Sequence, residues 1–238
     1  MIFYYVRHGD PIYNPDSLTE LGHKQADALA KRFALYGLDE IYSSTSVRAQ
    51  QTAEPTCKIL NKKTSLLDWT HEALAWEDFA TKTDEGIDTW AYCIPKRIRQ
   101  FNSKEVKNLG EKWYDHPCFV DTNFKRGVER INRETDAFLL RLGFEHDREK
   151  GCYKLVKPSN KRIALFAHEG FGKAFLSSLL DIPYPMLCSH FELGHSGVTV
   201  IFFNESEGEI YPKILQWSND SHLYKENVLT GYYNKIDI

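Results

Sequence analysis

No apolar run in this 238-residue sequence approaches the roughly 20 residues a membrane-spanning helix needs, so no membrane partner is expected. A basic excess is missing too. The 30 Lys and Arg stand against 33 Asp and Glu, a formal charge of −3. Without surplus cations to meet a phosphate backbone, nucleic acid is excluded as the main partner. Cysteines are few and do not pair by pattern. Cys57, Cys93, Cys118, Cys152 and Cys188 are odd in number and contain no CxxC. That argues against a disulfide frame or a zinc site and suits reduced thiols in a cytoplasm. No HExxH or comparable ligand spacing occurs. The opening has no basic segment with a small-residue cleavage site, so no leader is expected. Internal repeats and low-complexity tracts are absent.

What is there is an ordinary globular composition, 42% hydrophobic and 26% charged. Strand-like and helix-like segments alternate, which predicts α/β layering. Apolar runs at 2–6, 38–42 and 162–167 read as buried strands, with a short one at 64–67 and two more at 197–203 and 209–217. Ser17-Leu18-Thr19-Glu20 has the form of a capping box. It predicts a helix with Leu21, Ala28, Leu29 and Phe33 toward the core. Residues 43–46 offer N-caps for a second helix through Arg48. Residues 123–142 and 170–180 read as further helices, and 144–158 as a hairpin turning near Gly151. The stretch 86–119 is helical in composition but broken by Pro95, Gly110 and Pro117. No linker separates two domains. The expectation is one domain over 1–238, with 73–158 as an insertion or cap.

Three predicted strands end on polar groups: the first on Arg7-His8-Gly9, the second before Ser44 and Arg48, the third on His168-Glu169-Gly170. In open α/β sheets, ligands bind at the carboxyl ends of strands, where helix N-termini favour anions. Two guanidinium forks can chelate phosphate oxygens, and a histidine can act as a nucleophile. The pattern points to a phosphoryl group.

With these residues in view, the sequence resembles the histidine phosphatase, or phosphoglycerate mutase-like, superfamily. Arg7-His8-Gly9 is similar to its RHG signature and Asn14 to the Asn that often follows. Leu18-Thr19, Gly22 and Gln25-Ala26 resemble its LTxxGxxQA helix. Tyr42-Ser43-Ser44 through Arg48-Ala49 and Gln51-Thr52-Ala53 resemble its SSxxRAxQTA stretch. His168 with Gly170 resembles its second histidine motif, and residues 218–223 a common C-terminal ending. The likeness is dense over 1–56 and 162–223 and weak between.

The resemblance implies a three-layer α/β/α sandwich with a predominantly parallel sheet and a helical insertion over the active site. It implies a phosphomonoester hydrolase with His8 as nucleophile and with Arg7, Arg48 and His168 neutralising the phosphoryl oxygens. Gly9 would let the backbone pass close to the ligand, and Asn14 and Ser44 would touch phosphate. The arginines carry the charge, so neither metal nor cofactor is implied. The partner is a small phosphomonoester, and oligomeric state, monomer or homodimer, stays open. A carboxylic acid must protonate the leaving oxygen. Glu72 is the choice, with Glu77 and Glu169 as rivals. His195 is expected at a strand start, while His71, His190 and His222 are expected to be structural or exposed. Two other readings remain within the resemblance: phosphoglycerate mutase-type transfer and a non-catalytic phospho-ligand module. A serine-hydrolase elbow at Gly194-His195-Ser196-Gly197 is rejected, because it precedes a strand where that motif needs a strand and then a helix.

Overall fold

The computed structural model of the chain describes residues 1–206 and 208–230. The opening apolar run forms β1 (Ile2–Arg7), buried from residue 3 to residue 6. With it lie β2 (Glu40–Ser43), β3 (Thr64–Leu66), β4 (Arg162–Ala167), β5 (Val198–Phe202) and β6 (Lys213–Asn219), in the order β6-β5-β1-β4-β2-β3. Strand β1 is parallel to β4, β4 to β2 and β2 to β3, while β5 is antiparallel to both β1 and β6. Only β5 therefore runs against the others.

The sheet is buried on both faces, which is why its central strands read as continuous apolar runs. Phe3, Tyr5, Ile163, Leu165 and Ala167 point to one face. Tyr4, Val6, Ala164 and Phe166 point to the other. Helices α1 (Glu20–Tyr36) and α2 (Val47–Leu60) cover the second face through Leu29, Phe33 and Ala53. On the first face, α3 (Glu72–Phe79) leads to α4 (Phe124–Arg141) and then α5 (Glu169–Leu180). Phe138 of α4 meets Phe3 edge-on at 6.1 Å, and Phe175 of α5 stacks on Tyr5 at 5.7 Å. The expected three-layer α/β/α sandwich with a mostly parallel sheet is the observed one.

Local details differ from the sequence reading. The N-cap of α1 is Thr19, whose side chain accepts from Gly22 N, and Ser17 instead reaches Gln51. The later start sets the helix phase from Gly22 through Ala26 and Leu29 to Phe33, and leaves Leu21 exposed at 42%. The predicted strand 209–217 is split. Glu209–Ile210 joins Cys152–Leu155 in a separate small sheet with Phe144–Asp147, and only Lys213–Asn219 joins the main sheet. Residue 207, between the predicted strands 197–203 and 209–217, lies outside the described residues.

The stretch 73–158 divides in space. Residues 80–119 sit above the carboxyl edge as a hairpin, Ala80–Lys82 with Asp88–Trp90, followed by short helical turns. Helix α4 belongs to the packed layer, and the 144–155 hairpin is tied to α4 and α5 from beyond them. Its His146 and Arg148 bond to Asp136 and Asp181.

Candidate active site

Strand β1 delivers Arg7 and His8 to the carboxyl edge, and the ladder continues past it. His8 N donates to Ala167 O and Ser44 N donates to Phe166 O, each at 2.9 Å. The loops after β1, β2 and β4 are thereby held side by side. Helix α2 brings Arg48, and α5 begins directly after His168, which occupies its N-cap position.

His8 is 3% exposed. Its Nδ1–H donates to its neighbour's carbonyl, Gly9 O, at 2.7 Å, which leaves Nε2 as the nitrogen with a lone pair. Arg48 Nε donates to that Nε2 at 3.3 Å. Burial, then the charge of Arg7 and of Arg48, holds the imidazole pKa well below its usual value, so the ring is neutral. His168 is fully buried with its ring 5.2 Å from that of His8. Its Nε2 lies 2.8 Å from Ser44 Oγ and 3.2 Å from Ser46 Oγ, and its Nδ1 has no partner among the described residues.

Each arginine has a carboxylate beside it. Asp16 Oδ1 is 2.6 Å from Arg48 Nη1, and Asp16 Oδ2 accepts from Val47 N. Glu169 Oε2 is 2.8 Å from Arg7 Nη1. Glu169 also meets Lys173 at 3.0 Å. Burial alone would push the Glu169 carboxyl up, but Glu192, Arg7 and Lys173 outweigh it and hold Glu169 low.

Glu72 opens α3. Its two oxygens accept from Gly170 N and Phe171 N, both at 3.0 Å, so the carboxyl is seated on the first turn of α5. Burial pushes it up to about 7, partly offset by those two N–H groups and by Arg48 and Arg7. Helix α3 is fixed from its other end: Asp78, 2% exposed, receives Arg126 Nε and Arg130 Nε at 2.8 Å each. Those bonds anchor the helix that carries Glu72. A cavity of about 650 Å³ opens over these groups, lined by Arg7, His8, Arg48, Glu72 and Glu169, by His71, Glu192 and Cys93, and by Tyr13, Trp76, Trp90 and Tyr92.

The fold thus brings together Arg7, His8, Arg48, Glu72 and His168. Other sequence expectations move. Asn14 is exposed in the turn of the 11–18 hairpin and is not among the cavity-lining residues. The loop sends Asp16 inward instead, a carboxylate legible only as the counter-charge a buried Arg48 needs. Ser44 is buried against His168 rather than lining the cavity. At Gly9 a Cβ would lie 2.7 Å from Gly22 O, so the backbone there passes close to α1. His195 sits in the loop before β5, its ring 5.7 Å from that of His8. His71 lines the cavity and caps α3, accepting from Ala73 N. His222 is buried beside Ser196, and His190 is exposed. Of the rivals to Glu72, Glu77 is exposed and offers only its backbone carbonyl to Asn123 and Arg126. Among the described residues, no group of three or more His, Cys, Asp or Glu is placed to hold a metal ion.

Residues 3–116 match the profile of the histidine phosphatase superfamily, branch 1. No curated protein sequence matches. Among solved structures, a phosphoserine phosphatase mutant from Entamoeba histolytica in complex with phosphoserine superposes with a TM-score of 0.57 at 20% identity, covering 93% of this chain and 98% of that one. A mycobacterial glucosyl-3-phosphoglycerate phosphatase with VO3 gives 0.57 at 18% identity, over 91% and 98% of the two chains. Another structure, described as mycobacterial hydrolase 2, gives 0.59 at 18% identity, over 91% and 90%. The family match spans residues 3–116, and the superpositions extend the shared fold over about nine-tenths of the chain.

Proposed function

We propose that the chain is a phosphatase that hydrolyses a small phosphomonoester through a phosphohistidine on His8. One observation carries the reading: His8 Nδ1–H is tied to Gly9 O, so the lone pair on Nε2, which accepts from Arg48 Nε, stands in one cavity with Arg7 and a protonatable Glu72. In the first step Nε2 attacks phosphorus and the ester P–O bond breaks. Glu72, protonated, gives its proton to the leaving oxygen. Arg7, Arg48 and His168 stabilise the phosphoryl oxygens as charge shifts toward the transition state. In the second step Glu72, now a carboxylate, takes a proton from water, which attacks phosphorus. The N–P bond breaks and phosphate leaves.

Burial of His8 lowers its basicity, which keeps the lone pair available at neutral pH. The same surroundings give Glu72 a pKa close to the working pH, where it serves both steps. The five cysteines are unpaired, which fits work in a reducing compartment such as the cytoplasm.

Quenched-flow labelling with a 32P-phosphomonoester tests the proposal. Label is expected on His8, in acid-labile form, and activity in His8→Ala should fall by at least about 10³-fold, since nucleophile and proton relay act as one unit. Label on a serine or aspartate, or full activity in His8→Ala, would sink it.

A further inference from the structure

Beyond the arginines, the cavity has a wall that the phosphoryl chemistry leaves unused. Trp76, Trp90 and Tyr92 line it. Trp90 meets Trp76 edge-on at 5.0 Å and stacks on Tyr92 at 5.6 Å. Trp90 is also seated on Gly170, where a Cβ would lie 2.3 Å from a ring carbon. The aromatic wall is therefore anchored to the first turn of α5, two residues from His168.

Two carboxylates, Glu169 and Glu192, share this cavity. Lys173 is wholly buried behind them, 3.0 Å from Glu169, 3.1 Å from Glu192 and 3.7 Å from the Tyr92 ring centroid. One ammonium thus serves two carboxylates. Arg7 meets the second charge through Nη1, and a bound phosphoryl group would draw on the same guanidinium charge. With a phosphate on Arg7 and Arg48, and at a pH above about 7 where Glu192 is ionised, the wall keeps one negative charge in excess beside aromatic faces. Among the described residues, no other lysine or arginine lines the cavity to cancel it. Burial, and then the neighbouring Glu169, pushes the Glu192 carboxyl up, as expected for a carboxylate short of a cation.

An ester bearing a carboxylate would meet that charge as repulsion. A cation would meet both the carboxylate and the ring quadrupoles. We propose that the leaving group of the substrate carries a cationic nitrogen, held against Trp76 and Trp90 and facing Glu192. This rests on the phosphatase reading for the phosphate half of the site, so binding and turnover need separate measurement.

In His8→Ala protein, tryptophan fluorescence can follow binding of choline phosphate, of its neutral isostere 3,3-dimethylbutyl phosphate and of 3-phosphoglycerate. Choline phosphate should bind about 10-fold tighter than the isostere, and 3-phosphoglycerate weakest. Glu192→Gln in the same background should shrink the preference to about 2-fold. Trp76→Leu should shrink it as well, which covers any disturbance that Glu192→Gln causes at Lys173. Equal affinity for ester and isostere, no detectable binding of choline phosphate, or tighter binding of 3-phosphoglycerate overturns the inference. Turnover by the unaltered protein is scored apart. A binding preference with no ester hydrolysed, p-nitrophenyl phosphate included, would uphold the cation site and sink the phosphatase reading.

Discussion

Glu72 differs from its two rivals only in where the fold puts it. All three are glutamates near aromatic or glycine residues in the sequence. Glu77 is exposed and does not line the cavity, and Glu169 is held ionised by Glu192, Arg7 and Lys173, so Glu169 has no proton to give near neutral pH. Of the three, Glu72 alone lines the cavity with its carboxyl pushed up to about 7. One group with that pKa predicts two opposite pH limbs. An alkyl phosphate needs its leaving oxygen protonated, so its rate should fall as pH rises through about 7 and Glu72 loses its proton. For p-nitrophenyl phosphate, whose leaving group needs little help, hydrolysis of the phospho-enzyme should limit. Its rate should instead fall as pH drops through about 7. Glu72→Gln should cost the alkyl ester on the order of 10²-fold or more, spare p-nitrophenyl phosphate in the phosphorylation burst, and abolish both limbs. Pre-steady-state kinetics from pH 5.5 to 9 check this. An alkaline limb that persists in Glu72→Gln moves the role elsewhere.

At the scale of elements, the 144–155 hairpin is attached to the body by a charged cluster. His146 donates from Nδ1 to Asp136 at 2.9 Å and from Nε2 to Asp181 at 2.8 Å, and stacks on Tyr153. Arg148 bonds to both aspartates from the same side. Burial disfavours the charged imidazole, and Arg148 repels it. The two carboxylates outweigh both and raise its pKa. The folded value therefore lies above that of the unfolded chain, about 6.5. The stabilisation is whole below about 6.5 and is lost as pH rises through the folded value. Urea midpoints should show a stability loss on the alkaline side that His146→Gln lacks. At pH 6 the variant should be less stable by on the order of 2 kcal/mol, for two bonds to charged partners. Parallel pH profiles for the two proteins would show that His146 does not titrate in this range.

The whole molecule decides between hydrolase and mutase, because His8, Arg7, Arg48 and His168 suit either. A mutase must hold its phospho-enzyme away from water and grip a substrate bearing both carboxylate and phosphate. Here the cap over 80–119 contributes Trp90, Tyr92 and Cys93 to the cavity, and no cation. With 3-phosphoglycerate and 2,3-bisphosphoglycerate, formation of 2-phosphoglycerate should be negligible beside free phosphate. Rapid isomer exchange with little phosphate released would reverse that conclusion. The cap holds its shape through packing rather than periodicity. Phe101, Trp113, Phe119 and Phe124 cluster with Tyr184 at centroid distances of 5.2 to 6.3 Å.

The alternation of apolar runs with helix patterns was enough to predict α/β layering, and the family resemblance supplied the three-layer sandwich. Burial of β1 and β4 on both faces leaves that pattern in the chain itself. Arg7, His8, Arg48 and His168 were legible for a similar reason: each stands at a strand end or helix start that local pattern marks. The tertiary structure alone decided what depends on distant partners. Asp16 rather than Asn14 turns toward the site because Arg48 and the start of α2 lie across from it. Gly9 is required by Gly22, and Ser44 turns to His168, contacts between segments far apart in sequence. Glu72 stands out as the proposed proton donor only because α5 offers it two N–H groups and desolvation pushes its carboxyl up to about 7. Local propensity encodes neither a desolvation nor a contact across 98 residues, so those parts of the site wait for the folded chain.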